Sequence, residues 1–211
     1  MALDLQILEL ACSRLCHDLI SPIGAVGNGL ELMAEEGDDE LLADAHRLVE
    51  SSARRASALL QLYRSAYGNA GNQAAFGLAE AARLVRESID GGRIELRADL
   101  PADTAWPRGF GKLAVNAMLT AMEWLPRGGI LSLAATVSGD RGELKVAVEG
   151  QQAAFSDETA RLIRLDRQGI ELTAHNIQPY LTGLIAAHHG YRLDASQPAA
   201  GTAVLAARPA A

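Results

Sequence analysis

The first part of the chain has apolar residues that recur at alternating steps of three and four. This spacing puts the apolar side chains on one side of a helix and predicts a single long helix over residues 3–36. In heptad notation, the inward-facing a and d positions are Leu5, Leu8, Cys12, Leu15, Leu19, Pro22, Val26 and Met33. The acidic, glycine-containing stretch at residues 35–40 is typical of a turn.

A second stretch with the same helical spacing covers residues 41–67. Its apolar side comprises Leu41, Ala45, Leu48, Ser52, Ala56, Leu59 and Tyr63. The glycines and asparagines of residues 68–72 are typical of a helix stop and a linker. Residues 1–70 therefore predict an antiparallel helical hairpin, and two such hairpins would cover their remaining apolar stripes as a four-helix bundle in a homodimer.

From residue 75 to residue 211 the pattern changes to shorter helices and alternating strands. The predicted helices are 77–89, 112–125 and 172–189, and we expect Pro179 to break or restart the last of them. The predicted strands are 93–100, 130–137, 143–148, 191–195 and 202–207. This order predicts a two-layer α/β sandwich with helices on one face of a mixed sheet, so the fold class of the whole chain is α+β.

Composition narrows the class of protein. The chain has 19 basic and 26 acidic residues and a net charge of -7, which disfavours nucleic-acid binding. Cys12 and Cys16 fit no zinc or redox motif, and we expect them to be small buried apolar residues in a reducing compartment. Because no signal peptide and no apolar run of ~20 residues is recognisable, we expect a soluble, cytoplasmic protein.

The most informative candidate for chemistry is His17. It falls at heptad position f, which faces away from the a and d seam, so we expect its imidazole to be exposed to solvent. An exposed imidazole keeps a ring nitrogen free as a nucleophile, and histidine can accept and release a phosphoryl group directly. From the spacing alone, His17 could also be an ordinary surface histidine.

The residues that follow His17 favour a functional site. Pro22 lies inside the predicted helix, where a proline removes a hydrogen bond and costs ~3 kcal/mol. Three glycines lie in the same helix, and each costs ~1 kcal/mol relative to alanine. Small side chains let another protein come close to the histidine, so we predict a docking surface here. Its residues are Arg14, Ile20, Ser21, Gly24, Gly27 and Asn28.

Residues 17–23, His-Asp-Leu-Ile-Ser-Pro-Ile, resemble the H-box of sensor histidine kinases. That motif has a histidine, an acidic residue, two variable residues, a small or hydroxyl residue, a proline and a hydrophobic residue. The longer run over residues 15–32 is similar to the histidine phosphotransferases of alphaproteobacteria, and the order of elements extends the resemblance over essentially the whole chain. The resemblance implies that His17 carries a phosphoryl group and that Asp18 holds the imidazole tautomer or assists proton transfer.

The second half is similar to the ATP-binding domain of histidine kinases but lacks most of its nucleotide motifs. Residues 112–117 resemble the N-box helix, in which Asn116 matches the metal-binding asparagine. The Asp-x-Gly-x-Gly motif is replaced by Val-Glu-Gly-Gln-Gln at residues 148–152, and residues 173–180 offer no glycine-rich phosphate loop. We therefore predict a degenerate ATPase-like domain over residues 75–211, with no cofactor and no metal of its own.

The resemblance also implies the partners of the protein. It implies a phosphorelay intermediate, rather than an ATP-dependent kinase, that passes phosphoryl groups between the aspartates of receiver domains. The implied donor is the receiver of a hybrid histidine kinase of the CckA type, and the implied acceptors are response regulators of the CtrA and CpdR types. The receiver would supply the Mg²⁺. Arg54 and Arg55 could engage the acidic receiver or the phosphoryl oxygens, or could form an ordinary solvated helix face.

Three alternatives belong to other classes of protein. A divergent ATP-dependent histidine kinase is disfavoured by the missing nucleotide motifs. A non-catalytic adaptor that binds response regulators would not need the nucleophile of His17, and a purely structural dimer would not need the exposed His-Asp pair. A metal site at His188 and His189 is also disfavoured, because neighbouring residues on a helix do not face a common ion.

Overall fold

The N-terminal part of the structure is a pair of long helices. The computed structural model describes residues 4–35, 39–73, 75–101, 104–138 and 141–210. Its first two elements are α1 (Leu5–Ala34) and α2 (Asp39–Ala66), which confirms both predicted helices. Residues 36–38 of the predicted turn lie outside the described residues.

The two helices run antiparallel, because early residues of one contact late residues of the other. Asp18 of α1 contacts Tyr63 of α2, and Gly29 contacts Val49. α1 continues through Pro22, which is buried in the hairpin. At Gly29 an added Cβ would lie 2.6 Å from Cγ2 of Val49, so the close approach of the helices at this point requires a glycine.

An apolar stripe on α1 remains exposed in the single chain. Leu5, Ile23 and Leu30 expose 61%, 55% and 53% of their surface. By their helical spacing, Cys12 and Cys16 lie on the same side of α1 as these three residues, and both cysteines are exposed. The prediction that the cysteines are buried is therefore wrong for the single chain, because no described element of the second domain covers this side of α1.

The second domain is a five-stranded mixed sheet with helices on one face, as predicted. The strands are β1 (Ile94–Asp99), β2 (Gly129–Ser138), β3 (Arg141–Glu149), β4 (Tyr191–Ser196) and β5 (Thr202–Pro209). The order across the sheet is β1-β2-β3-β5-β4, with β1 and β2 parallel and the other pairs antiparallel. The helices are α3 (Leu78–Ser88), α4 (Phe110–Met122), α5 (Asp157–Leu162) and α6 (Ile177–His188).

Two helices of this domain differ from the prediction. The helix predicted from residue 172 begins only at Ile177, which puts Pro179 in the first turn of α6, where its missing N–H breaks no helical hydrogen bond. α5 was not predicted, because six residues are too few to show a helical period. Its first turn is capped by Ser156, whose Oγ accepts from the backbone N–H of Thr159 at 3.1 Å.

α4 lies almost wholly buried, and its side chains cap the end of α2. The last carbonyls of a helix have no partner within the helix and carry partial negative charge. Nζ of Lys112 donates to the carbonyl of Gly68 at 2.9 Å, and Nδ2 of Asn116 donates to the carbonyl of Ala66 at 2.9 Å. These two side chains therefore fix the hairpin to the second domain.

A buried polar network continues from this cap into α6. The hydroxyl of Tyr67 donates to Oε1 of Gln178, and Nε2 of Gln178 donates to Oδ1 of Asn116 at 3.2 Å. The same Nε2 lies 3.1 Å from Oγ1 of Thr182, which is 2.8 Å from Oγ1 of Thr120. Gln178, Asn116 and both threonines are fully buried, so each of these bonds replaces a hydrogen bond to water that was lost on folding.

The cap predicts a large effect of one isosteric substitution. Asn116→Asp keeps the size of the side chain, but an ionised aspartate cannot donate to the carbonyl of Ala66, and keeping the acid protonated in this buried site at neutral pH also costs free energy. We expect the free energy of unfolding, measured with urea, to fall by about 3 kcal/mol. The control is Asn69→Asp at an exposed position, and an equal effect of the two substitutions would contradict the role of the cap.

Candidate functional site

His17 lies on α1 with its ring in solvent, as the heptad predicts. Its side chain is 75% exposed, and Nδ1 lies 3.1 Å from Oδ1 of Asp18. A carboxylate oxygen can only accept, so this contact requires a proton on Nδ1 and leaves the lone pair on Nε2. Among the residues that the structure describes, none hydrogen-bonds to Nε2 of His17. This nitrogen is therefore available as a nucleophile.

Asp18 is held in place by a tyrosine of the neighbouring helix. Its second oxygen, Oδ2, accepts a hydrogen bond from the hydroxyl of Tyr63. Burial, together with this bond to Asp18, raises the pKa of Tyr63, so the phenol stays protonated and remains a donor. The ring of Tyr63 stacks on Tyr67 with the centroids 5.5 Å apart. Asp18 thus connects His17 to the interior of the hairpin.

Arg14 and Glu123 form an ion pair between α1 and the residue that follows α4. Nη2 of Arg14 lies 2.7 Å from Oε1 of Glu123, and the two side chains are 14% and 29% exposed. Burial raises the pKa of Glu123, and the charge of Arg14 opposes that shift. The structure therefore places Arg14, predicted as a docking residue, mainly in the joint between the two domains.

A groove of about 580 Å³ separates the hairpin from the second domain beside His17. α1 and α2 contribute His17, Asp18, Ser21, Arg55 and Tyr63, among others. The second domain contributes residues that include Ile89, Arg93, Met122 and Glu123. The structure thus brings Arg55 to the same groove as His17. Arg54 does not line this groove, and its Nη1 instead pairs with Glu50 at 2.8 Å on the outer surface of α2.

The remaining residues of the predicted docking surface are exposed to solvent. Ile20 is 70% exposed, and Ser21 and Asn28 are also exposed. A Cβ added at Gly24 or at Gly27 would meet no atom within 4 Å. Packing within the chain therefore gives no reason for glycine at these two positions, which fits a surface that another molecule approaches.

His175 contacts the site from the second domain, and the sequence did not indicate it. Its ring centroid lies 6.1 Å from that of His17, with the ring planes at 75°. Tyr63, Arg93 and Glu123 were not assigned to the site either. No local sequence signal could have placed these residues near His17, because each is at least 45 positions away. Tyr63 comes close through the packing of α2 against α1, and Arg93 and Glu123 through the packing of the two domains.

Asn116 has hydrogen-bond partners inside the protein, and His188 and His189 contact each other. Asn116 is fully buried, and its amide nitrogen donates to two backbone carbonyls while its oxygen accepts from Gln178. The rings of His188 and His189 meet edge to face with their centroids 5.0 Å apart. Within the described ranges, no three side chains of His, Cys, Asp or Glu gather as metal ligands. In the same ranges, no helix is long and apolar enough to span a bilayer.

Comparisons with known proteins identify the class. The family described as histidine phosphotransferase C-terminal domain matches residues 78–201. Protein phosphotransferase ChpT of Brucella abortus (strain 2308) is 36% identical over 194 residues, which cover 92% of this chain and 90% of that protein. The solved structure of a bacterial phosphotransferase is 34% identical and has a TM-score of 0.84. The match covers 99% of this chain and 98% of that one.

The two-domain fold and these relationships define a histidine phosphotransferase. The chain belongs to the histidine phosphotransferase family, of which the Brucella protein is a relative. The family resemblance predicted from residues 15–32 is thereby confirmed.

The glycines of α1 predict opposite effects of the same substitution. Gly24→Ala should raise the free energy of unfolding by up to ~1 kcal/mol, because alanine favours a helix and its Cβ meets open space. Gly29→Ala should lower it, because its Cβ would clash with Val49. Urea denaturation measures both.

If Gly24 lies where a partner docks, Gly24→Ala should also raise the KM for a receiver domain despite the gain in stability. A stabilised variant with an unchanged KM would remove Gly24 from the docking surface.

Proposed function

We propose that His17 is the phosphoryl carrier of this phosphotransferase and that it exchanges phosphoryl groups with the aspartates of receiver domains without using ATP. The observation that carries the proposal is the arrangement of His17, Asp18 and Tyr63. Tyr63 orients Asp18, Asp18 orients the imidazole, and Nε2 is left facing solvent. This is the geometry that a histidine nucleophile needs.

The transfer step can be written for the atoms of this site. The lone pair of Nε2 attacks the phosphorus of an aspartyl phosphate on the incoming receiver, the N–P bond forms, and the P–O bond breaks. The electron pair of the P–O bond leaves with the aspartate carboxylate. The proton stays on Nδ1 of His17, where Asp18 stabilises the positive charge that the ring gains.

The second half of the relay reverses this step. The aspartate of a second receiver attacks the phosphorus, and the imidazole leaves as a neutral group that still carries its proton on Nδ1. The contact with Asp18 serves both directions, because the ring remains the same tautomer before and after the cycle. Positioning and charge stabilisation are then the main contributions of this chain to catalysis.

The charges around the groove suit an acidic partner. Arg55 and Arg93 line the groove beside His17, and neither takes part in the ion pairs found among the described residues, such as those of Arg14 and Arg54. Receiver active sites are acidic and hold Mg²⁺, so the receiver brings the metal and this chain supplies basic contacts. The donor in this proposal is the receiver of a CckA-like hybrid kinase, and the acceptors are CtrA-like and CpdR-like regulators.

The polar joint between the domains supports a mechanism without ATP. In the kinases that the second domain resembles in sequence, the asparagine matched by Asn116 binds a metal. Here its amide caps α2 and bonds to Gln178, so no oxygen faces an open pocket. Turning that side chain towards a nucleotide would leave the carbonyl of Ala66 and the amide of Gln178 buried without partners.

The proposal includes a homodimer built on the hairpin. The exposed apolar stripe of Leu5, Cys12, Ile23 and Leu30 lies on a different side of α1 from His17, so a second copy could cover it and leave the histidine free. Four helices around one core are the common form of such a pairing. We place the exchange in the cytoplasm, a reducing compartment that suits two free cysteines.

The central prediction concerns His17 itself. Wild-type protein mixed with a phosphorylated receiver domain and Mg²⁺, without ATP, should acquire a label that is labile in acid and stable in base. His17→Gln should acquire none, because glutamine has no nucleophilic ring nitrogen. Asp18→Asn should slow labelling at least tenfold, because an amide can donate to Nδ1 and favour the wrong tautomer.

Receiver binding provides the control for this experiment. His17→Gln should bind the receiver as the wild type does, which shows that the variant is folded and that only the transfer is lost. Label on His17→Gln would contradict the assignment of the carrier. Label from ATP without any receiver would instead favour the divergent kinase.

The dimer predicts a change of association state. Wild type should sediment as a dimer, and the double variant Ile23→Glu with Leu30→Glu should sediment as a monomer, because two charges per chain would be buried in the bundle. Asn28→Glu is the control, since Asn28 is also exposed on α1 but lies, eleven residues after His17, on the side of His17. A wild-type monomer, or a dimer that survives both substitutions in the stripe, would contradict this part of the proposal.

A further inference from the structure

The turn before α6 places a second histidine beside the proposed phosphoryl carrier. His175 lies between Leu172 and Ile177, both of which are buried in the small core under α6. Its own side chain is exposed, and its ring lies edge to face with that of His17 at 6.1 Å between centroids. The second domain therefore contributes a side chain to the immediate surroundings of His17.

The turn that carries His175 is firmly held. Nδ2 of Asn176 donates to Oε1 of Glu158 at 2.9 Å and to the carbonyl of Glu171 at 3.0 Å. Oδ1 of the same asparagine accepts from the backbone N–H of Thr173 at 2.7 Å. The core below this turn also packs against α1, the helix that bears His17. The position of His175 relative to His17 is thus set by backbone and core contacts, without any bond between the two rings.

His175 has a donor to offer to a phosphoryl group. In the part of the chain that the structure describes, no group hydrogen-bonds to the ring of His175. By contrast, Nδ1 of His17 bonds to Asp18, and the guanidinium of Arg14 forms an ion pair with Glu123. An imidazole has at least one N–H in either of its neutral tautomers and two when protonated. Phosphoryl oxygens are strong acceptors.

We propose that His175 is a phosphoryl-binding residue of this site, which donates an N–H to an oxygen of the phosphoryl group while it moves to or from Nε2 of His17. This inference rests on the proposed function. The hydrogen bond makes and breaks no covalent bond, and His175 keeps its proton throughout. Its effect is to stabilise the charge spread over the phosphoryl oxygens in the transition state.

The test compares three substitutions of an exposed residue in the full-length protein. His175→Gln keeps an N–H donor, His175→Phe keeps the ring and its contact with His17, and His175→Ala keeps neither. His188→Ala serves as the control, because His188 is an exposed histidine at the other end of α6. The probe is a CtrA-type receiver domain phosphorylated with labelled acetyl phosphate, and single-turnover transfer to each protein is followed over a range of receiver concentrations.

We expect the maximal transfer rate to fall about threefold to tenfold in His175→Ala and His175→Phe. His175→Gln should recover most of the rate, His188→Ala should resemble the wild type, and the receiver concentration at half-maximal rate should stay nearly constant throughout. That split between rate and binding separates a phosphoryl contact from a structural or docking role.

Other results would overturn the inference. Wild-type rates in His175→Phe with slow transfer in His175→Gln would show that ring packing matters and donation does not. Equal rates in all four variants would remove His175 from the site and leave the proposed function of His17 intact. Failure of the wild type itself to take label would overturn both the inference and the proposed function.

Discussion

The closure of the C-terminal end of α2 by α4 is the contact on which the rest of the structure depends. Helix ends leave carbonyl groups without partners, and here two side chains of another domain supply them. Lys112 brings a positive charge to the negative end of the helix dipole, and Asn116 brings a neutral amide donor. Because both lie on a buried helix, the hairpin and the sandwich are held in one fixed relation, and the groove beside His17 exists only in that relation.

This joint gives Asn116 a structural role in the contact between the hairpin and the second domain. A buried asparagine needs its hydrogen bonds satisfied, and the amide nitrogen of Asn116 donates to the carbonyls of Ala66 and Lys112 while its oxygen accepts from Gln178. The same network reaches Gln178 and Tyr67, and Tyr67 stacks on the Tyr63 that orients Asp18. The network around Asn116 is thus physically continuous with the proposed phosphotransfer site.

The charged side chains around His17 form two groups, one enclosed between the domains and one exposed in the groove. The ion pair of Arg14 and Glu123 is largely enclosed, so each partner mainly compensates the other. Arg55 and Arg93, on the walls of the groove, keep their charge available for an acidic partner. This division gives the surface a positive character close to the histidine even though the whole chain carries a net charge of -7.

The sequence by itself determined the two long helices, the strands, the mixed sandwich and the exposure of His17, since these follow from the local period of apolar residues. It also carried the family resemblance through residues 15–32. It could not reveal Tyr63 or His175 as neighbours of His17, nor the cap formed by Asn116. Those contacts join positions far apart in the chain. Only the tertiary structure decided them, through the packing of α1 on α2 for Tyr63 and of the two domains for His175 and Asn116, because a hydrogen-bond partner is chosen by distance in space and leaves no periodic trace in the sequence.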